Sequence, residues 1–245
     1  MKTKTKVYIL AASDEEEWCK DFGVKYKPLL PWGGKTIIEH LVRNIKRDLD
    51  IPVIVIGRTE WPIDSIEGAE LIKVNSKNLF ETISHIKPDS KHTLLLTGDS
   101  PLVRGKDLLP FLENPSDLTA GVIYKEAFSQ LFPDWRKTFI PLKDGSVKLA
   151  GAALISKEKW EIIVKEGSGY YKYRKNPLAV VQKMKLSLLI KLLIRQLTID
   201  DVVRWVKESF DVNAKVITAR PTLGADVDNK NDYLTLKLFE TLRGE

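Results

Sequence analysis

Tyr8 to Gly34 reads YILAASDEEEWCKDFGVKYKPLLPWGG. Val7 to Ala12 is apolar at consecutive positions rather than at alternate ones, so it reads as a strand buried on both faces, as in a parallel sheet. A polar loop without evident apolar anchors follows from Ser13 to Tyr26, expected to be mobile and to order over a ligand. After it come Lys27-Pro28-Leu29-Leu30-Pro31 and a Gly33-Gly34 turn. A helix is predicted from near Thr36, because Ile37, Ile38, Leu41, Val42 and Ile45 recur at spacings of three and four and share one face. In open α/β sheets, ligands bind where a strand stops and hands over to a loop. Lys27 lies in such a loop, where a lysine can meet polyphosphate as a compact point charge; local pattern alone fits a solvent-exposed lysine equally well.

The remaining chain repeats the alternation. Strands are predicted over Pro52–Gly57, Glu70–Val74, Thr93–Leu96, Leu118–Tyr124, Gly151–Ile155 and Ala214–Thr218. Helices are predicted over Asn78–Ile86, Lys106–Leu112, Lys157–Lys165 and Asn229–Leu242. Strands alternating with helices imply an α/β fold, a mostly parallel sheet of nucleotide-binding type covered on both faces, with right-handed crossovers. Lys125 to Ala150 shows little periodicity, with turn signals at Pro133-Asp134 and Asp144-Gly145. From Asn176 to Phe210 the pattern is helical with a break at Leu197-Thr198, where Thr198 suits a helix cap and Asp200 and Asp201 suit the first turn. No linker marks a second domain. The chain reads as one domain, residues 1–245, with a helical insertion at about 156–210.

Composition narrows the function. The chain has 245 residues, 43% of them hydrophobic, enough for one well-buried core. The net charge of +6 comes without an Arg/Lys run interleaved with aromatics, so nucleic acid is not an expected partner. Cys19 is the single cysteine, which excludes an intrachain disulfide and a cysteine-based metal site. The three histidines, His40, His85 and His92, lack metal-ligand spacing. The basic start MKTKTK precedes too short an apolar run for a signal peptide, and no run is long enough to span a bilayer, so a soluble cytoplasmic protein is the expectation. Lys183 to Arg195 is apolar with a basic edge. It suits a membrane surface, a second copy in a homodimer, or a cover over an acceptor site. The plainer expectation is a helix packed on its own domain, leaving Lys183, Lys191 and Arg195 toward solvent.

Two further stretches could carry chemistry. Thr97-Gly98-Asp99-Ser100-Pro101 follows an apolar run that delivers Asp99 to the carboxyl end of a strand, the binding edge of such sheets, although aspartates also open turns before proline. In Ala225-Asp226-Val227-Asp228-Asn229, the carboxylates of Asp226 and Asp228 point the same way if the backbone is extended, and could face one cation. The same stretch suits a helix cap, Asp228 or Asn229, with Asp232 as a helix-start residue.

Together these stretches resemble the sugar-nucleotide-type nucleotidyltransferases, and most nearly the molybdenum-cofactor guanylyltransferase-like group. The resemblance lies in Leu10-Ala11-Ala12, the loop, Lys27 to Ile45, the Gly98-Asp99-Ser100-Pro101 segment, and the closing Asp226-Val227-Asp228. It implies that Ala11, Ala12, Ser13, Lys27 and Gly98 bind nucleotide. It also implies that Asp99, with Asp226 and Asp228, holds a divalent metal, Mg²⁺. Lys27, Asp99 and Asp228 would then serve transfer of a nucleoside monophosphate from a triphosphate to a phosphorylated acceptor, releasing pyrophosphate. The family loop is glycine-rich and carries an arginine; this one has a single glycine, Gly23, and four consecutive carboxylates, Asp14 to Glu17. Lys148 to Ala153 resembles a segment lining the acceptor side, with Gly151-Ala152 where the family has Gly-Asn. Lys125 and Arg136 are the further basic residues read as able to reach phosphate. Two other classes fit the same residues: a nucleotide-sugar-dependent glycosyltransferase using the Asp-x-Asp pair, and a non-catalytic nucleotide-binding regulator with an acidic loop.

Overall fold

The computed structural model describes residues 5–76, 78–171 and 186–243. Its centre is an eight-stranded, mostly parallel sheet in the order β10-β7-β9-β6-β1-β4-β5, with β8 paired to β9. The first strand, β1 (Thr5–Leu10), lies between β4 (Val53–Arg58) and β6 (His92–Thr97), parallel to both. This placement explains its unbroken apolar run: Val7 and Ile9 face one hydrophobic cluster, Tyr8 the other, and all three are buried. On the outer side, β5 (Glu70–Val74) pairs parallel with β4. At the other edge, β10 (Ala214–Thr218) pairs parallel with β7 (Leu118–Tyr124).

The small hairpin β2 (Pro31–Trp32) and β3 (Lys35–Thr36) turns through Gly33 and Gly34, both at positive φ, a conformation that costs other residues a Cβ clash. Helix α1 (Ile37–Asp48) then starts with a reciprocal cap. Thr36 Oγ1 accepts from the Glu39 amide, and Glu39 accepts from the Thr36 amide. Its apolar face buries Ile37, Ile38, Leu41, Val42 and Ile45, each stabilising the fold by about 1.5–3 kcal/mol.

The stretch read as irregular is ordered. It contains helix α4 (Lys125–Leu131), and β8 (Ile140–Leu142) turns into β9, which runs from Gly145 to Ser156 rather than from Gly151. Strand β9 is antiparallel to both β6 and β7, the one reversed strand within the parallel sheet path. Short helices α2 (Leu79–Ser84) and α3 (Gly105–Leu112) follow β5 and β6.

Between β9 and β10 stand helices α5 (Trp160–Tyr171), α6 (Leu186–Leu193) and α7 (Ile199–Phe210). Thr198 caps α7 in a reciprocal pair with Asp201. Helix α6 does not bury its whole apolar face: Leu188 is buried, while Leu186, Ile190, Leu193 and Ile194 are exposed. Arg195 is solvent-facing, Lys191 keeps a 44% exposed side chain while pairing with Asp201 at 2.6 Å, and Lys183 lies outside the described residues. No helix among the described residues is long and apolar enough to cross a membrane. The last helix, α8 (Lys230–Arg243), is capped by Asn229, whose Oδ1 accepts from the Asp232 amide.

Candidate functional site

The carboxyl ends of β1 and β6 lie side by side. The Gly98 amide donates to the Leu10 carbonyl at 3.0 Å, and a Cβ on Gly98 would stand 2.7 Å from the Ala11 Cβ. Two small residues therefore let the strand ends close together. Beside them opens a cavity of about 300 Å³, with Ala12, Ser13, Lys27, Thr97 and Asp99 among its walls and Asn78 and Thr82 contributed from the start of α2. Ala11 and Gly98 are not among its walls, so their contribution is to shape the backbone behind it.

Lys27 and Asp99 meet here. Lys27 sits in a short 3-10 turn between the buried Tyr26 and the buried Pro28, which holds its ammonium 3.6 Å from Asp99 Oδ2 with a side chain only 12% exposed. Asp99 Oδ1 and Ser13 Oγ are buried without a hydrogen-bond partner. Burial pushes the Asp99 carboxyl above its ordinary range; Lys27 and, less, the Thr97 hydroxyl oppose the rise, and the negative Asp226 and Asp228 add to it. A buried carboxylate oxygen with nothing to accept from is costly in a folded protein unless a ligand completes it.

The acidic loop is anchored, contrary to its polar appearance. Glu17–Phe22 forms a 3-10 turn, Cys19 and Tyr26 are buried, and Trp18 and Phe22 pack with Tyr233 of α8. Its charges are largely paired: Asp14 with Arg58 at 3.3 Å, Glu15 with Lys25 at 3.2 Å, and Glu17 with Lys20 at 2.6 Å. Arg58 leaves the carboxyl end of β4, donates to the Ser76 carbonyl at 2.7 Å and lies over the Tyr26 ring. It brings the loop an arginine from a different strand. Only its place one residue past the apolar run Val53 to Gly57 marked it in the sequence. Burial, helped by Glu16, raises the Cys19 thiol to about 11. We therefore expect Cys19 of the native, unliganded chain to react with a disulfide reagent at pH 8 at least about a hundredfold more slowly than in urea. Fast labelling that stops on nucleotide addition would restore the mobile-loop expectation.

Asp226 and Asp228 reach the same edge, because the Val227 amide donates to the Asp99 carbonyl at 3.0 Å. Their carboxylates, however, face lysines. Lys148 lies 2.5 Å from Asp226 Oδ1 and also donates to the Gly224 carbonyl. Lys137, only 7% exposed, lies 2.8 Å from Asp228 Oδ2, 3.0 Å from Asp232 Oδ2 and 3.5 Å from Asp226 Oδ1, above the Trp135 ring. Among the described residues no three carboxylate, imidazole or thiol groups are placed to hold a metal ion by themselves. Lys148 and Lys137 hold Asp226 below the usual carboxylate range despite its burial. The three carboxylates in turn hold Lys137 above the usual lysine range.

Asp232 does more than start a helix. It accepts from Trp135 Nε1 at 2.7 Å, from Lys137 and from the Asp228 amide. Lys125 and Arg136, read as phosphate candidates, are exposed and line no wall of the cavity; the inward-facing residue is the neighbouring Lys137.

The sequence matches no family model and no curated protein. Solved structures share its fold. A hypothetical transferase from Thermus thermophilus superposes with a TM-score of 0.79 at 22% identity, over 94% of this chain and 99% of that one. A nucleotidyl transferase from Methanothermobacter thermautotrophicus gives 0.59 at 16% identity, over 99% and 100%. A CMP-2-keto-3-deoxy-manno-octonic acid synthetase complexed with CTP gives 0.55 at 14% identity, over 99% and 100%. The chain thus has the fold of the nucleotide-diphospho-sugar transferases, a mixed α/β domain on a mostly parallel sheet.

Proposed function

We propose that the chain is a nucleotidyltransferase. The observation that carries this is the cavity at the carboxyl ends of β1 and β6, which Lys27 and Asp99 both line, the aspartate with one oxygen buried and without a hydrogen-bond partner. An acceptor phosphate oxygen attacks the α-phosphorus of a nucleoside triphosphate in line, the bond to the bridging oxygen breaks, and pyrophosphate leaves. Lys27 steadies the phosphate oxygens as charge moves onto them. The reaction needs no protein nucleophile.

The residues fit a divalent cation such as Mg²⁺, which accepts a few carboxylates and fills its remaining positions with water and substrate phosphate. Asp99 Oδ1 is the acceptor still unused. Asp226 and Asp228 would complete the set only by giving up their contacts with Lys148 and Lys137. Such an ion, when bound, supplies neutralisation of the triphosphate charge. We further propose a kinship with the molybdenum-cofactor guanylyltransferase-like group, supported by the resemblance of Leu10-Ala11-Ala12, the following loop and Lys27 to Ile45.

The test is a melting series with each of the four common nucleoside triphosphates, with and without Mg²⁺, followed by pyrophosphate release across an acceptor panel. At a hundred times its dissociation constant, the cognate triphosphate should stabilise the fold by about 2.7 kcal/mol, and only with the cation. No shift with any triphosphate would sink the proposal. A shift with a nucleotide-sugar, with its hydrolysis, would favour a glycosyltransferase; triphosphate binding without pyrophosphate release would favour a regulator.

A further inference from the structure

Directly beside the nucleotide cavity lies a second one of about 310 Å³, within the size range of small-molecule sites. The two share the walls Leu10, Leu79 and Thr97. Their chemistry is opposite. Thr97 is the only polar side chain among the described walls of the second cavity, and its hydroxyl already lies 3.3 Å from Ser100 Oγ.

On the sheet side the space is lined by small residues of β9, among them Gly151 and Ala153, and on the helix side by Leu79, Ile83 and Ile163. Gly167 keeps those helices close, since a Cβ there would come within 3.0 Å of the Phe80 ring. Leu149, a wall residue that is 64% exposed, gives the cavity an apolar lip toward solvent. Such a space suits water poorly, because a buried water needs two to four polar partners. Sugar hydroxyls would be stripped of hydration there without replacement hydrogen bonds. Hydrocarbon loses nothing.

We propose that this cavity takes the body of the acceptor, and that the acceptor is an amphiphilic phosphomonoester, a phosphate carried on an aliphatic chain. The chain lies along Ala153 and Ile163, and the phosphate passes Thr97 to reach Lys27 and Asp99. The role of the phosphate rests on the nucleotidyl-transfer proposal; the fit of the apolar body rests on the cavity alone. The acceptor oxygen forms the new bond to the α-phosphorus, and the triphosphate loses pyrophosphate.

The test uses straight-chain alkyl monophosphates from methyl to decyl, below their micelle-forming concentrations, with glucose 1-phosphate as the polar comparison. Binding is measured by calorimetry without nucleotide, and pyrophosphate release with Mg²⁺ and each triphosphate. Affinity should rise by about fourfold for each methylene buried and level off when the cavity is full. Ala153→Phe should abolish the chain-length dependence while leaving the triphosphate-induced melting shift unchanged. Ile163→Ala should move the plateau to longer chains, and decides the matter if Ala153→Phe does not fold. Alkyl phosphates that bind no better than methyl phosphate, or a length profile untouched by Ile163→Ala, would overturn the proposal. Length-dependent binding without pyrophosphate release for any triphosphate would establish the apolar site and overturn nucleotidyl transfer.

Discussion

Lys137→Met is expected to lower the stability of the unliganded chain by roughly 3–5 kcal/mol, a fall in melting temperature of roughly 6–20 °C at this size. The methionine keeps most of the side-chain volume over Trp135, so a packing defect is not the cause. The cause is charge. Asp226, Asp228 and Asp232 share the Lys137 ammonium, and Asp232 is itself buried. Removing a buried counter-ion strands Asp232 and in part Asp226, which have given up most of their hydration, whereas Asp228 stays exposed to water. Asp226 retains Lys148; Asp232 retains only the neutral donors Trp135 Nε1 and the Asp228 amide.

The pH dependence gives a second readout. In the parent the carboxyl of Asp226 is held low, so its contribution is present above an unfolded value near 3.8 and is lost as pH falls through the folded value. In the variant Asp226 loses one of the two ammonium groups that hold it low, so this contribution at neutral pH is smaller. The two stability curves should therefore converge toward acid and separate toward neutrality. Adding Asp232→Asn to Lys137→Met should recover part of the loss, because one stranded charge is gone. A melting temperature within about 2 °C of the parent would mean that the lysine is not holding these carboxylates.

Strand positions were legible in the middle of the sheet, where burial on both faces makes the sequence continuously apolar, and also at its half-buried edge strands, where shorter apolar clusters sufficed. Glu70–Val74, Leu118–Tyr124 and Ala214–Thr218 agree residue for residue, and Thr198 and Asn229 announce their helices as caps. Helix α4 was hidden because Lys125–Leu131 is a single seven-residue stretch that buries only Phe128. The loop's order was hidden because four consecutive acids mask Cys19 and Tyr26, which are buried by residues far along the chain.

The site divides in the same way. Lys27 and Asp99 follow apolar strands and are marked by where those strands stop. Lys137 and Lys148 have no local signature at all. Their partners lie 91 and 78 residues away, and only the antiparallel β9 and the return of the chain before α8 bring them together. An Asp-x-Asp pair read alone suggests a cation; the residues that already balance it are lysines from elsewhere in the sequence.

Asp99→Asn is expected to do two opposite things: abolish the metal-dependent melting shift given by triphosphate, and raise the melting temperature of the unliganded chain. The first effect is a loss of about 2.7 kcal/mol of ligand stabilisation at a hundredfold excess over the dissociation constant, equivalent to roughly 5–11 °C. It follows because asparagine keeps the shape but offers a cation a neutral carbonyl in place of a carboxylate. The second follows from the partnerless Oδ1. Burial raises the Asp99 carboxyl, and Lys27 at 3.6 Å offsets this only in part. Folding therefore favours the protonated form. The contribution of Asp99 is most favourable below the unfolded value of 3.8 and is lost as pH rises through the higher folded value. The substituted asparagine would not titrate, and its carbonyl still faces the Lys27 ammonium. The variant should match the parent near pH 4 and exceed it by about 1 kcal/mol, roughly 2–4 °C, at pH 7. This is the trade expected where a strained charge is kept for ligand binding rather than for the fold. A variant that binds Mg²⁺-triphosphate as tightly as the parent would remove Asp99 from the metal site. A variant that is less stable at pH 7 would show that the Lys27 pair outweighs the burial of the carboxylate, and that the cavity is not poised for a cation.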